Sequence, residues 1–165
     1  MEAARAGGLI VMEAVLFIGI QGSGKTTFYR DRFFETHIRI SLDMLRTRER
    51  ESLLIGACLA ARQPFVIDNT NILAADRAPY IARAKSAGFR IIGYYFRTEV
   101  RAAIARNNKR TDKKALVVPA ILRSYKRLEP PTPQEGFSHI YTVRLGSDNQ
   151  FAVTDWAEAD AVEKP

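Results

Sequence analysis

The sequence predicts an α/β fold: a mostly parallel sheet with helices on both faces. Three observations carry the prediction. Short apolar runs alternate with longer stretches whose apolar residues recur at helical spacing. The first such run ends directly in a glycine-rich loop that leads into a helix. At 165 residues the chain has the length of one domain with a sizeable core.

The elements follow in order. Glu13 to Ile18, "EAVLFI", is a buried strand, being short, apolar and followed by glycine. A helix is expected from Gly24 to about Phe34. "HIRIS", His37 to Ser41, alternates as a second strand. Arg46 to Arg62 is helical by length and by the spacing of Leu53, Leu54, Ala57, Cys58 and Ala61. "PFVIDNTN" is a third buried strand that ends in turn-forming residues. Ala74 to Ala87 is a helix stopped by Gly88, in which Pro79 should introduce a kink or mark the first turn. "FRIIGYYF" is a fourth strand, and Thr98 is placed to cap a helix running to about Asn108. "KRTDKKAL" reads as a basic loop. Val118, Ile121, Leu122, Tyr125 and Leu128 then form one helical stripe, with Pro119 in its first turn. "PPTP" is a rigid connector and "HIYTVRL", His139 to Leu145, a last strand.

Residues 1–12 read as an N-terminal extension, disordered or an alternative start, with the folded domain at 13–146 and an acidic tail at 147–165. No apolar run approaches the ~18 residues of a membrane span, and the first residues lack the pattern of a secretory signal. A lone cysteine, Cys58, excludes an intramolecular disulfide, fits a reducing, cytoplasmic setting, and reads as a small core residue. The net charge is +7. It is concentrated between Arg97 and Arg127, where ten Lys/Arg stand against Glu99 and Asp112. Such polarity suits a polyanionic partner meeting one face.

Gly19 to Thr26, "GIQGSGKT", fits G-x-x-x-x-G-K-[ST] at every position. Glycines let successive backbone N–H groups turn inward and cradle an anion at a helix N-terminus. Lys25 would reach the β- and γ-phosphates of a nucleoside triphosphate, and Thr26 would ligate Mg²⁺. With a strand before and a helix after, this is a phosphate loop, and the fold expected is of the P-loop NTPase type. Gly22, Ser23, Gly24, Lys25, Thr26 and Thr27 are the expected contacts to ATP.

A phosphate loop does not specify a reaction. Asp43 follows the second strand in "SLDMLR", at the sheet end where ligands gather. It is placed to take a proton from an attacking hydroxyl. Arg46, three residues on, would share its helical face and pin an anionic acceptor. The plainer reading is a capping Asp and a surface Arg. Asp68 closes "FVID" at the position of a Walker-B acid, where it would hold Mg²⁺, directly or through water, or orient a basic neighbour; an Asx-turn is the plainer role. Arg106 and Arg110, four residues apart, would form a basic lid over ATP together with Lys109, Lys113 and Lys114, or else a solvated helix end. His37 and His139 read as packing or surface residues, and Trp156 has no assigned role.

With these residues in view, the chain resembles the 5′-hydroxyl polynucleotide kinases, in particular the kinase module of the bifunctional kinase–phosphatase end-healing enzymes. The resemblance runs from about Val15 to Leu145. It rests on "VIDNTN", "RNNKR", "VVPAILRSYKRLEPPTPQEGFS" and the Asp43-to-Arg46 spacing. It implies that Lys25 and Thr26 grip the donor phosphates and Mg²⁺, that Asp43 is the general base, and that Arg46 holds the phosphate beside the accepting hydroxyl. Arg106 and Arg110 correspond to lid arginines and Asp68 to a second active-site acid. The chain departs from the pattern at Pro79, which falls in a helix that is continuous in the family. It lacks the D-x-D-x-T motif of the phosphatase and the K-x-D-G motif of a ligase, so end healing would draw on a separate phosphatase or ligase. The expected activity is transfer of the ATP γ-phosphate to 5′-OH ends of DNA or RNA. A small-metabolite kinase and a non-catalytic nucleotide-binding subunit are the alternatives.

Overall fold

The computed structural model describes residues 11–109 and 118–162. The expected extension at residues 1–10 and the basic loop residues Arg110, Lys113 and Lys114 lie outside the described residues.

Six strands form one sheet: β1 (Glu13–Ile18), β2 (Ile38–Ile40), β3 (Phe65–Ile67), β4 (Arg90–Phe96), β5 (His139–Leu145) and β6 (Phe151–Asp155). Their order is β2-β3-β1-β4-β5-β6, with β1 to β5 parallel and β6 antiparallel to β5. The α/β class and the mostly parallel sheet expected from the sequence are therefore present. β1 lies between β3 and β4, so its carboxyl end opens at a point where connections leave in opposite directions, the usual place for a ligand in such sheets.

The helices are α1 (Lys25–Arg32), α2 (Leu42–Leu45), α3 (Arg48–Ala60), α4 (Ala74–Ser86), α5 (Val100–Asn108), α6 (Val118–Arg127) and α7 (Glu158–Val162). They cover both faces because successive side chains of a strand point to opposite sides. Ala14 and Leu16 of β1 pack with Ile55 and Cys58 of α3 and Ile81 and Ala84 of α4. Val15 and Phe17 pack on the other side with Phe28 and Tyr29 of α1. Phe17 sits amid Phe28, Phe33, Tyr94 and Phe96, its ring centroid 5.1–6.0 Å from theirs. Cys58 is buried, as expected of a small core residue. No helix among the described residues is long and apolar enough to cross a membrane.

The structure corrects five local expectations. The helix expected from Arg46 to Arg62 is α3, starting two residues later, and a short helix the sequence reading lacks, α2, precedes it: α2 ends at Leu45, and Arg46 is its cap in the left-handed region, at φ 71°. α3 starts afresh behind Thr47, whose side chain accepts from the Arg50 N–H. Arg46 therefore does not share a helical face with Asp43. Thr98 is not the cap of α5: Glu99 takes that position, without a side-chain cap bond. Pro79 stands at the sixth residue of α4, inside the helix, so of the two expected roles the first-turn position is the one the structure removes. Leu122 is 38% exposed, so the stripe of α6 faces inward at Ile121 and not there. His139–Leu145 is not the last strand, because Phe151–Asp155 pairs with it and α7 follows. β6 is short and half-exposed, which leaves little hydrophobic signal in the sequence.

Candidate active site

The loop from Gly19 to Gly24 leaves the carboxyl end of β1 and opens α1. Its first amide donates to the Thr70 carbonyl beyond β3, at 2.9 Å. Gly22 and Gly24 have φ of 76° and 92°, a region that side chains rarely adopt. A Cβ at Gly22 would also lie 2.6 Å from the Ala103 carbonyl oxygen of α5. Glycine at 22 thus lets α5 lie directly against the loop.

Lys25 is buried at the start of α1. Its ammonium donates to the carbonyls of Gly19 (2.9 Å) and Ile20 (2.7 Å) and to the Ser23 hydroxyl (3.2 Å). Burial lowers its pKa to about 8, while the charges of Asp68 and Asp43 act in the opposite sense. Both acids are therefore electrostatic neighbours of Lys25, and the structure brings the three sequence-predicted residues to one place. Thr27 is exposed on the first turn of α1.

Thr26 donates its hydroxyl to Asp68 Oδ2 at 3.0 Å. The same oxygen accepts from Arg39 Nε at 2.7 Å, and Arg39 Nη2 lies 3.3 Å from the Thr26 hydroxyl. A hydroxyl beside a carboxylate at the mouth of a phosphate loop is a donor set suited to Mg²⁺. Arg39 was not among the residues singled out from the sequence. It is a lone charge in the three-residue strand β2, and its partner comes 29 residues later in the chain.

Asp43 lies in α2, exposed and without a hydrogen bond or ion pair to any described residue. Ser41, not Asp43, occupies the N-cap position. The helix is held in place from behind. The Leu42 amide donates to Asn69 Oδ1 at 2.9 Å, and Asn69 Nδ2 donates to the buried Glu51 at 2.7 Å. Tyr80 OH and Arg48 Nη1 also donate to Glu51, at 3.0 and 2.9 Å. Arg46 is exposed beside Asp43, its position set by the left-handed turn that ends α2.

Arg106 of α5 donates through Nε to the Gly22 carbonyl at 2.7 Å. Its Nη2 is buried with no hydrogen-bond partner among the described residues, and burial draws the guanidinium pKa below its ordinary value. An unmatched guanidinium nitrogen against the loop fits a phosphate oxygen. Next to it lies a cavity of about 770 Å³, lined by Arg97, Thr98, Glu99, Arg106 and Arg144 among others. It opens at the carboxyl ends of β4 and β5, a place for the remainder of a nucleotide whose phosphates occupy the loop.

Comparison with known proteins bears on the family and the fold. A family described as an AAA domain matches residues 46–131, just over half of the chain. Among solved structures, the chain is similar to one from the PezAT chromosomal toxin-antitoxin system of the human pathogen Streptococcus pneumoniae. The identity is 13% and the TM-score 0.64, over 96% of this chain and 80% of that one. It is also similar to Kti12 of Chaetomium thermophilum, solved in complex with ADP-AlF3, at 18% identity and a TM-score of 0.62 over 92% and 95% of the two chains. A gluconokinase from Sinorhizobium meliloti 1021 matches at 13% identity and a TM-score of 0.52, over 83% and 85%. At such identities the likeness is one of fold: a P-loop, kinase-like α/β domain.

Proposed function

The chain belongs to the AAA domain family, and from that premise we propose that it is an ATP-dependent kinase of 5′-hydroxyl ends of DNA or RNA. The observation that carries the reading is the position of Asp43. It is a solvent-facing carboxylate with no hydrogen bond or ion pair to a described residue, yet its charge is felt by the buried Lys25 of the phosphate loop. A carboxylate so placed can accept the proton of a hydroxyl brought up to a γ-phosphate.

The transfer is in line. The oxygen of the acceptor hydroxyl attacks the γ-phosphorus, Asp43 takes its proton, and the bond to the ADP oxygen breaks. Lys25 and Arg106 supply positive charge to the transferring oxygens, the part of catalysis that fixed donors do best. Thr26 and Asp68 would hold Mg²⁺, which when bound supplies Lewis-acid charge at the phosphate oxygens. Arg39 keeps the Asp68 carboxylate turned toward Thr26. Arg46, beside Asp43, would contact the phosphate next to the accepting hydroxyl. The basic stretch from Arg97 to Arg127 suits a strand that follows, held through its backbone with little sequence preference.

Transfer of label from γ-labelled ATP to 5′-OH oligonucleotides of DNA and RNA tests the proposal. The expected result is product labelled at the 5′ end, with acceptor binding that weakens steeply as salt rises. Inert DNA and RNA ends alongside a labelled small metabolite would replace the reading with that of a metabolite kinase.

A further inference from the structure

Two of the arginines that line the cavity beside the phosphate loop are held by one carboxylate from outside it. Asp160, in α7, is 4% exposed. Its Oδ1 accepts from Arg97 Nη1 at 2.9 Å and from Arg144 Nη2 at 3.1 Å. Its Oδ2 accepts from the Thr142 hydroxyl at 2.8 Å and from the Ala157 amide at 3.0 Å. Burial alone would raise the Asp160 pKa, but these hydrogen bonds and the Arg144 charge hold it below the ordinary value. The carboxylate is therefore ionised and fully engaged.

Arg97 follows β4 and Arg144 lies near the end of β5, so the two guanidinium groups approach the cavity from adjacent strands. Two guanidinium groups that share one carboxylate oxygen repel each other, and Arg144 is about half exposed. Without a shared anion its side chain would turn out to solvent. The segment that brings Asp160 also reaches the loop. A Cβ on Gly24 would come within 3.1 Å of the Phe151 ring of β6. β6 and α7 thus touch the donor site at two points, the floor of the loop and the back of the arginine wall.

We propose that Asp160 is a positioning residue for the donor nucleoside, fixing Arg97 and Arg144 as the cavity wall on which the base and ribose rest. Guanidinium planes stack on aromatic bases and donate to ribose and base oxygens, which suits a nucleoside beside the phosphates. The assignment rests on the donor reading above for the nature of the ligand. It adds that the strand and helix after residue 150 belong to the nucleotide site.

Calorimetry on the full chain with two probes, ATP and inorganic tripolyphosphate, tests it. Tripolyphosphate engages the loop alone. Asp160→Asn is expected to weaken ATP by about tenfold, as loss of a supporting contact does, with tripolyphosphate held within about twofold of wild type. Arg144→Gln, a partly exposed position, should give the same signature and serves if Asp160→Asn fails to fold. An unchanged ATP affinity in the folded variants, or an equal loss of both probes, overturns the proposal. A wild-type chain that binds neither probe overturns the donor reading itself, and this proposal with it.

Discussion

Arg77 of α4 grips Glu135 with two parallel bonds, Nε and Nη2 each 2.7 Å from a carboxylate oxygen. Its side chain is wholly buried, and its Nη1 spans the Asn71 and Glu129 carbonyls at 3.0 Å. One side chain thus joins α4, the turn after β3 and the short 3₁₀ turn at Pro133–Glu135. Removing one member of a buried pair strands the other, at a cost of roughly 3–5 kcal/mol. Arg77→Ala is expected to lower the melting temperature by on the order of 10 °C for a chain of this size. A melting curve within a degree or two of wild type would show that the clamp contributes little.

Asp43 leads to a kinetic prediction. It makes no bond to the phosphate loop, so Asp43→Asn should leave the Kd for ATP within about twofold. A general base contributes about 10²–10⁴ to the rate, and kcat should fall in that range. Transfer that survives the substitution removes Asp43 from the chemistry.

The Lys25 ammonium sets a pH dependence. With its pKa near 8 in the free protein, the amine loses its proton as pH rises through 8. A bound polyphosphate favours the charged form, so binding above that pH must take the proton back. Affinity for tripolyphosphate should fall by up to about tenfold per unit above pH 8. Calorimetry in buffers of different ionisation heat should register proton uptake, and Lys25→Met should abolish it. For folding the sign is the reverse: the unfolded amine holds its proton up to about 10.5, so the cost of burying the charge is relieved as pH climbs from 8 to 10.5.

Arg39 should reveal itself through magnesium. It fixes the carboxylate that faces Thr26, and losing such a support typically costs about 10–100-fold in metal affinity or activity. Arg39→Ala should raise the Mg²⁺ concentration for half-maximal activity by that factor, while tripolyphosphate still binds without metal. An unchanged magnesium titration would reduce Arg39 to a surface contact.

What the sequence revealed, and what it hid, follows the reach of each interaction. β1, the phosphate loop and α1 were legible because their signals are local: an apolar run, glycines at fixed spacing and a lysine–threonine pair. Asp43 and Asp68 were legible because each follows a recognisable strand. α2 was not legible because four residues are too few to show a helical period, and the left-handed turn at Arg46 that separates it from α3 falls on a residue with no preference for that conformation. Arg39 and Asp160 were invisible for a different reason. Each acts through a partner far along the chain, Asp68 for one and Arg97 and Arg144 for the other, and charge in a short strand or an acidic tail carries no sign of where it will pair. Arg110, the other lid arginine expected from the sequence, lies outside the described residues.

The ring of Phe151 against Gly24 has a bearing on how the domain assembles. The two residues are separated by well over a hundred positions, and a pairing that remote forms only after the intervening chain has been ordered. Gly24 leaves the ribosome early and waits for β6 to support it from below. A chain halted before that strand would carry the entire phosphate loop without the ring that packs beneath Gly24.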